Sequence, residues 1–528
     1  MRKILLSLVS FCALCALVGC GSSNNNTVPV PANPAGGNNA GFSNASLLAG
    51  TSYVFSVSGV NNNSGGSYAV VGSFISNGDG SITSGTRDTV NDSGGQSLDE
   101  TLTPASSTYF VNADGRGQMV LNGPSGQVIY RFVLHAPTAQ HPSQVGELFQ
   151  DGQTSDRVVV DATGTIQQVS GTPATPTGTY IIGLNGEDSI RNPYGAIGGI
   201  TFTGNNIAGL IDENDNGNYA QETQPLTASG SISLTSSRGT ATLVTPNGIN
   251  PATHNFVVYY VSPSELDLVS TDPKFFLYGN ADQQTSFAPT NGLFIGDQVF
   301  SISGVDNSGP GRSIAPRVEA GRMTLNGDGT LSNAIEDYTN YTNVFSGVDL
   351  TVNSSYSAGA EGRWTANLVN STTNTTTNLV GWQVSFGAVP TQQKSFVLTT
   401  NSNILETGVM LGQTLDITDA QVSGNYAESL AGYNVGGQDY AELTGNLNAD
   451  GNGNFLTGTY DAQTDDAGLI LDTTTSGTYN TGDATFGRST SAGVEDIPIA
   501  LYTVDANTMF FVSSQQGSIY QGAIINQQ

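Results

Sequence analysis

Acidic side chains are the residues of this chain best placed to do chemistry. Asp212-Glu213-Asn214-Asp215-Asn216-Gly217 reproduces the first half of a calcium loop, D-x-N-x-N-G, in which alternate oxygens converge on the ion. The twelfth position of such a loop needs a bidentate Glu, and Thr223 stands there, between flanks that read as strands. The helix-flanked form is therefore excluded, which leaves a looser Ca²⁺ site from Asp212, Asn214 and Asn216. Histidine is scarce: His135 and His141 share a Pro-containing loop and read as surface residues, and His254 stands alone. No G-x-S-x-G elbow occurs, and no phosphate-binding or dinucleotide fingerprint sits in the strand–helix context it requires. Paired carboxylates can hydrolyse glycosides, but no carboxylate pair recurs along the chain. Trp364 and Trp382 could stack on a sugar ring, although packing is the simpler role. The sequence thus nominates no catalytic residue, no cofactor and no metal beyond the weak Ca²⁺ candidate.

The clearest chemistry lies at the N-terminus. Arg2 and Lys3 precede an apolar run from Ile4 to Val18, whose 15 residues are fewer than the roughly 20 needed to span a bilayer as a helix. The run ends on Leu17-Val18-Gly19-Cys20, which resembles the lipobox of bacterial lipoproteins. The resemblance implies cleavage before Cys20 and a lipid on its thiol, with several acyl chains giving stable attachment. It also implies, from Gly21 after the cysteine, sorting to an outer membrane. The other cysteines, Cys12 and Cys15, fall in the leader, so the mature chain carries no thiol for catalysis, disulfides or thiolate metal sites.

Charge narrows the partners. The chain of 528 residues has 43 acids against 15 Lys and Arg, and losing Arg2 and Lys3 with the leader takes the net charge from −28 to −30. Nucleic-acid binding requires basic surface, so nucleic acid is excluded as a partner. Residues 21–46, rich in Gly, Asn, Ser and Pro, read as a tether with too little apolar content to fold. Its reach is about 30 Å on average and roughly 85 Å when taut.

What must position any site is a repeat. Val54-Phe55-Ser56-Val57-Ser58-Gly59-Val60 returns as Val299-Phe300-Ser301-Ile302-Ser303-Gly304-Val305, and Gly178-Thr179-Tyr180 and Gly424-Asn425-Tyr426 open two weaker copies. Asn77-Gly78-Asp79-Gly80-Ser81-Ile82 matches Asn326-Gly327-Asp328-Gly329-Thr330-Leu331 and Asp450-Gly451-Asn452-Gly453-Asn454-Phe455, and Gly204-Asn205-Asn206-Ile207 more loosely. The closing apolar positions are 125, 124 and 124 residues apart. An aspartate follows each, Asp88, Asp212, Asp337 and Asp461, expected to brace the hairpin, and Gly-Arg landmarks follow at Arg116, Arg238 and Arg363. The fourth copy shows no evident counterpart of that arginine. An Asp–Arg pairing once per copy would be structural.

Period-two alternation with Asn-Gly and Asp-Gly turns makes every copy β. We expect an all-β protein of four tandem antiparallel repeats of about 120 residues each, built as barrel-like meanders, with β-sandwiches the alternative and a β-propeller less favoured. The boundaries are a leader over 1–19, lipidated Cys20 and tether over 20–46, and repeats over 47–172, 173–288, 289–417 and 418–528. This pattern of lipobox, tether and Gly-x-Tyr, Asp-Gly-x-Gly, Gly-Arg-Gly repeats resembles the uncharacterised Gly/Asn-rich tandem-repeat lipoproteins of bacteria. The family implies an envelope location and β structure, and no activity. The expected function is a non-catalytic binding or adhesive module facing an envelope or extracellular glycan or protein. A passive spacer is the alternative, and a glycan hydrolase less favoured.

Overall fold

The computed structural model describes residues 41–528 apart from 63–65, 92–94, 153–159, 189, 217, 220–224, 235, 247–252, 273–274, 308–314, 436–438, 465–467, 480–486 and 495–496. Leu17, Val18, Gly19 and Cys20, with most of the tether, lie outside the described residues. Four antiparallel sheets of eight or nine strands make up the body. Each is a meander whose first strand also pairs with its last. Ser52–Asn61 pairs with Val160–Gln168, Gly178–Glu187 with Phe276–Gln283, Ile295–Asp306 with Ile404–Gly412, and Ser423–Asn434 with Ser518–Asn526. The register repeats too, since Tyr53, Tyr180, Gln298 and Tyr426 stand opposite Gln168, Gln283, Gly412 and Asn526. The second sheet closes completely through Pro193–Thr203 on Asn206–Asp215. In the first and third, the bridges Ser81↔Thr108 and Thr330↔Ser355 tie the end strands Thr108–Val111 and Ser355–Ala358 to the residues that open Ile82–Asn91 and Leu331–Asn340. In the fourth, the end strands Gly468–Thr478 and Arg488–Val494 lie against each other. The copies are barrels, as the alternation and turns predict, rather than sandwiches or propeller blades.

Alternation explains the cores. Tyr53, Phe55 and Val57 point into the first barrel with Phe74, Leu121, Tyr130 and Ile166, and the other three interiors are filled in the same way. A barrel of about eight strands has room inside for side chains and little else. One glycine position recurs for a steric reason. A Cβ on Gly59, Gly186, Gly304 or Gly432 would sit 1.8, 1.7, 1.9 or 2.2 Å from a carbonyl oxygen of the last strand of its own barrel. Only glycine lets the closing pair of strands approach that closely.

The opposite faces of the same strands are also buried, because the barrels pack on one another. Val54, Ala69, Val71 and Val90 of the first barrel meet Val257, Tyr259, Val261, Val269 and Phe276 of the second. Ile181 and Ile197 of the second meet Val380, Trp382, Val384, Phe396 and Leu398 of the third. Val299, Val318, Ala320 and Leu411 of the third meet Ala500, Tyr502, Val504, Val512 and Ile519 of the fourth. Each barrel thus offers its early strands to the late strands of the next, a head-to-tail contact that forms a ring if the rotation closes. It closes after four: Gln527 of the last barrel donates to the Asp114 and Leu134 carbonyls of the first, each at 3.0 Å.

Candidate functional site

The turn aspartates fold back on their own turns. Asp328 accepts from the Thr330 N–H at 2.9 Å, and Asp450 from the Asn452 and Asn454 N–H groups at 2.7 and 3.0 Å. These hydrogen bonds hold both carboxyls below the usual range. The glycines around them, at φ between 73° and 92°, occupy the left-handed conformations these tight turns need.

The second set of aspartates joins the barrels. Arg238 of the second barrel donates two bonds to Asp88 of the first, Nε at 2.8 Å and Nη2 at 2.7 Å, and the Tyr259 hydroxyl adds a third at 2.6 Å. Arg363 grips Asp212 the same way at 2.9 and 2.8 Å, with the Trp382 indole N–H at 2.7 Å. Arg488 grips Asp337 at 2.6 and 2.6 Å, with the Tyr502 hydroxyl beside it. The ring closes where Arg116 of the first barrel donates to Asp461 of the fourth at 2.8 Å. Each aspartate also braces its own hairpin where a donor is resolved: the N–H groups of Asp99, Gly347 and Asp472 reach Asp88, Asp337 and Asp461 at 2.8 to 3.0 Å.

Arg488 corrects the reading that the fourth copy lacks this arginine. The pairs also connect neighbouring copies rather than partners within one copy. The signal was present: each arginine follows its copy's aspartate by 26 to 28 residues, and Arg488 follows Asp461 by 27.

The same geometry fixes the Ca²⁺ candidates. The Asp212 carboxylate is taken by Arg363 and Trp382. Asn214 donates to the Thr399 and Ile404 carbonyls of the third barrel at 2.7 and 3.2 Å. Asn216, at φ 50°, donates to Asn192 at 3.3 Å. Asp212 and Asn214 therefore serve the contact between second and third barrels. Among the described residues, no group of three His, Cys, Asp or Glu could hold a metal ion. Both tryptophans are packed: Trp364 lies in the third core, and Trp382 in the inter-barrel contact.

The histidines are not surface residues. His135 and His254 are buried, and burial holds His135 down to about 4. Burial and the neighbouring Lys394 hold His141 well below its usual value. His135 Nε2 lies 3.8 Å from Glu147, whose carboxyl burial pushes up to about 7. The loop carrying both histidines, residues 135–143, crosses from the first barrel to the third, where Lys394 Nζ lies 3.4 Å from His141 Nδ1 and donates to the Gln140 carbonyl at 3.3 Å.

That crossing leaves a cleft of about 640 Å³ between three barrels. Ala139, Gln140 and Pro142 come from the first, Ser264, Glu265, Asp282 and Gln283 from the second, and Ser385, Thr391, Gln392 and Lys394 from the third. Lys394 pairs with Asp282 at 2.7 Å. Glu265 accepts from Gln167 at 2.6 Å and is pushed up to about 7 by burial and then by Asp282. The lining holds amides, hydroxyls and carboxylates, with no nucleophile poised on a base. The volume falls within the roughly 300–1,000 Å³ of small-molecule sites. Sequence reasoning missed this site because its walls come from three different copies that meet only through packing.

No protein-family model matches the chain, and no curated protein matches it. Among solved structures, that of intact Ap-TbpB, N and C lobes, is similar over 72% of this chain and 82% of that one at 12% identity, with a TM-score of 0.16. A likeness this low carries no argument.

Proposed function

We propose that the chain is a lipid-anchored protein of the bacterial cell envelope, held at the outer membrane through Cys20, and that its barrel ring is a non-catalytic binding module. The observation that carries the binding reading is the cleft between three barrels. It is a concave site rich in hydrogen-bonding groups, built where rigid elements converge and lacking a nucleophile–base pair. Ring closure changes how the repeats contribute. Barrels on a string would bind by multivalency, whereas barrels locked head to tail present one composite surface. The lipobox-like Leu17-Val18-Gly19-Cys20 supports the anchor, and the mature charge argues for a glycan or protein partner over nucleic acid.

The test is surface proteolysis of intact cells beside a Cys20→Ala variant, followed by capture of envelope glycan fractions on the purified ring. Digestion of the parent, release of the variant as soluble protein and saturable glycan capture are expected. A ring that captures nothing would support a passive spacer. Protection until the envelope is breached would place the protein inside.

A further inference from the structure

We infer that Lys394 of the third barrel and Asp282 of the second join in an isopeptide bond, a covalent staple that the protein forms on itself. Three observations converge on it. First, Lys394 Nζ lies 2.7 Å from Asp282 Oδ2, with the two side chains 5% and 10% exposed. That spacing puts Nζ about 3.5 Å from the carboxyl carbon, within reach of a near-attack arrangement. Two more contacts hold the nitrogen there, the Gln140 carbonyl at 3.3 Å and His141 Nδ1 at 3.4 Å. Second, the residue is a lysine. Among the described residues, every other ion pair between a Lys or Arg and a carboxylate uses arginine. Arginine is the better partner for a buried pair, whereas lysine can shed its charge and attack a carbonyl carbon.

Third, the neighbours are those the reaction needs. Asn280 Nδ2 donates to the other Asp282 oxygen, Oδ1, at 3.1 Å, where it steadies negative charge that grows on that oxygen. Glu265 is buried and stands directly opposite Asp282 across the strand pair. Burial and then Asp282 push its carboxyl up to about 7, so a protonated acid stands beside the pair at neutral pH. In water an ammonium and a carboxylate stay ionised and do not condense, and burial removes the hydration that keeps them so. The ammonium passes a proton to Oδ2, and the neutral Nζ forms a bond to Cγ. Glu265 then protonates the Oδ2 hydroxyl, the Cγ–Oδ2 bond breaks and water leaves into the cleft. The nitrogen gives up its second proton to Glu265, which returns to its starting state. The sum is one amide and one water, with nothing oxidised or reduced. Both reacting groups are the protein's own, so the step happens once per chain and turns over no substrate. It ties Phe276–Gln283 of the second barrel to Lys394–Thr399 of the third.

The experiment is mass spectrometry of the purified mature protein, intact and after proteolysis. The parent is expected to be one water lighter than its composition requires. It should also yield a branched fragment in which the peptide of Asp282 is joined to that of Lys394. Lys394→Arg keeps the ion pair and cannot form the amide, so it should carry its full mass and give no branched fragment. Glu265→Gln should leave the linked fraction at least about tenfold lower with an unchanged circular dichroism spectrum, which a merely structural role for Glu265 would not produce. The parent alone decides whether the bond forms, so a variant that fails to fold does not blunt the test. Parent peptides of Asp282 and Lys394 recovered unlinked overturn the inference. A water lost without a branched fragment overturns it too, being the mark of a succinimide at an Asp-Gly step. A Glu265→Gln protein linked as fully as the parent overturns the proton transfer assigned to Glu265.

Discussion

Replacing Arg363 by Met should be the most damaging single change at the contact between second and third barrels. Asp212 is 1% exposed and Arg363 14%, so water cannot take the place of the lost guanidinium. The carboxylate would keep the Trp382 N–H at 2.7 Å but lose both arms of the fork. Removing one partner of a buried pair costs about 3–5 kcal/mol, because the other charge is stranded. Asp212→Asn should cost less, about 1–3 kcal/mol, since Arg363 lies nearer solvent and Asn still accepts from the indole. The double variant should then recover to within about 2 kcal/mol of the parent, its stranded charge gone. Equilibrium urea denaturation in a Trp364→Phe background reads this directly, because the chain has only two tryptophans and the remaining one sits in the contact. Arg363→Met within about 1 kcal/mol of the parent, or a double variant no better than Arg363→Met, would refute the claim that this pair is a buried determinant of the ring.

Three further outcomes follow from the same geometry. Glu147 and Glu265, pushed up to about 7, and Glu406, pushed up to about 8, hold protons more tightly folded than unfolded, so their stabilisation is lost as pH rises. His135, held near 4, and His141 have the opposite sign and lose stability as pH falls below about 6.5. The two slopes oppose one another under acid conditions, and only the acids act above. The acids outnumber the histidines, so the thermal midpoint should fall modestly between about pH 4.5 and 6.5, where the histidines offset part of the loss, and more steeply just above 6.5, with a shallower fall in Glu147→Gln. Gly304→Ala, whose Cβ would lie 1.9 Å from the Leu405 carbonyl oxygen, should cost about 3 kcal/mol. Gly292→Ala, with nothing nearer than 4.0 Å, should stay within about 0.5 kcal/mol by the same urea titration. Arg116→Ala should open the closing contact before any barrel unfolds, seen as faster amide exchange confined to residues near 114–116 and 461–463.

The sequence carried the barrels better than their assembly, for a physical reason. Alternation, Asp-Gly turns and recurring Gly and Asp positions are local and appear once per copy, so register within a barrel could be read directly. A pairing between Asp88 and Arg116 and one between Asp88 and Arg238 are indistinguishable from spacing alone, because a repeat offers every arginine the same environment. The burial of both faces of Ser52–Asn61 and its counterparts decides between them, and Val54 opposite Phe55 is apolar for that reason. Arg488 escaped because Gly493 stands where Leu121, Leu243 and Leu368 follow the other arginines by five residues, although the Gly487-Arg488 step and its distance from Asp461 were in register. The cleft was illegible because its walls come from three copies that meet only when the barrels pack.

The closing contact shows how a ring of near-equivalent barrels is built from one chain. Three contacts join barrels linked by only 9, 11 and 10 residues between their strands, so the tether itself keeps the partners at high local concentration. Each of those contacts is an apolar cluster with one forked arginine and one aromatic donor. The fourth joins the chain's two ends and has no short linker, and its chemistry differs. Val133 stands opposite Arg116 where Tyr259, Trp382 and Tyr502 stand opposite the other arginines. In place of an aromatic, Arg116 bonds three carboxylates, Asp114, Asp461 and Asp472, while Gln463 reaches the Val160 carbonyl at 2.8 Å and Asp161 at 3.2 Å. Directional bonds of this kind reject misaligned partners more sharply than an apolar face does. An apolar surface at this contact would also offer a docking face to other copies wherever the ring stood open. A polar seam at the one contact without a short linker thus supplies through directional bonds the selectivity that the linkers supply elsewhere.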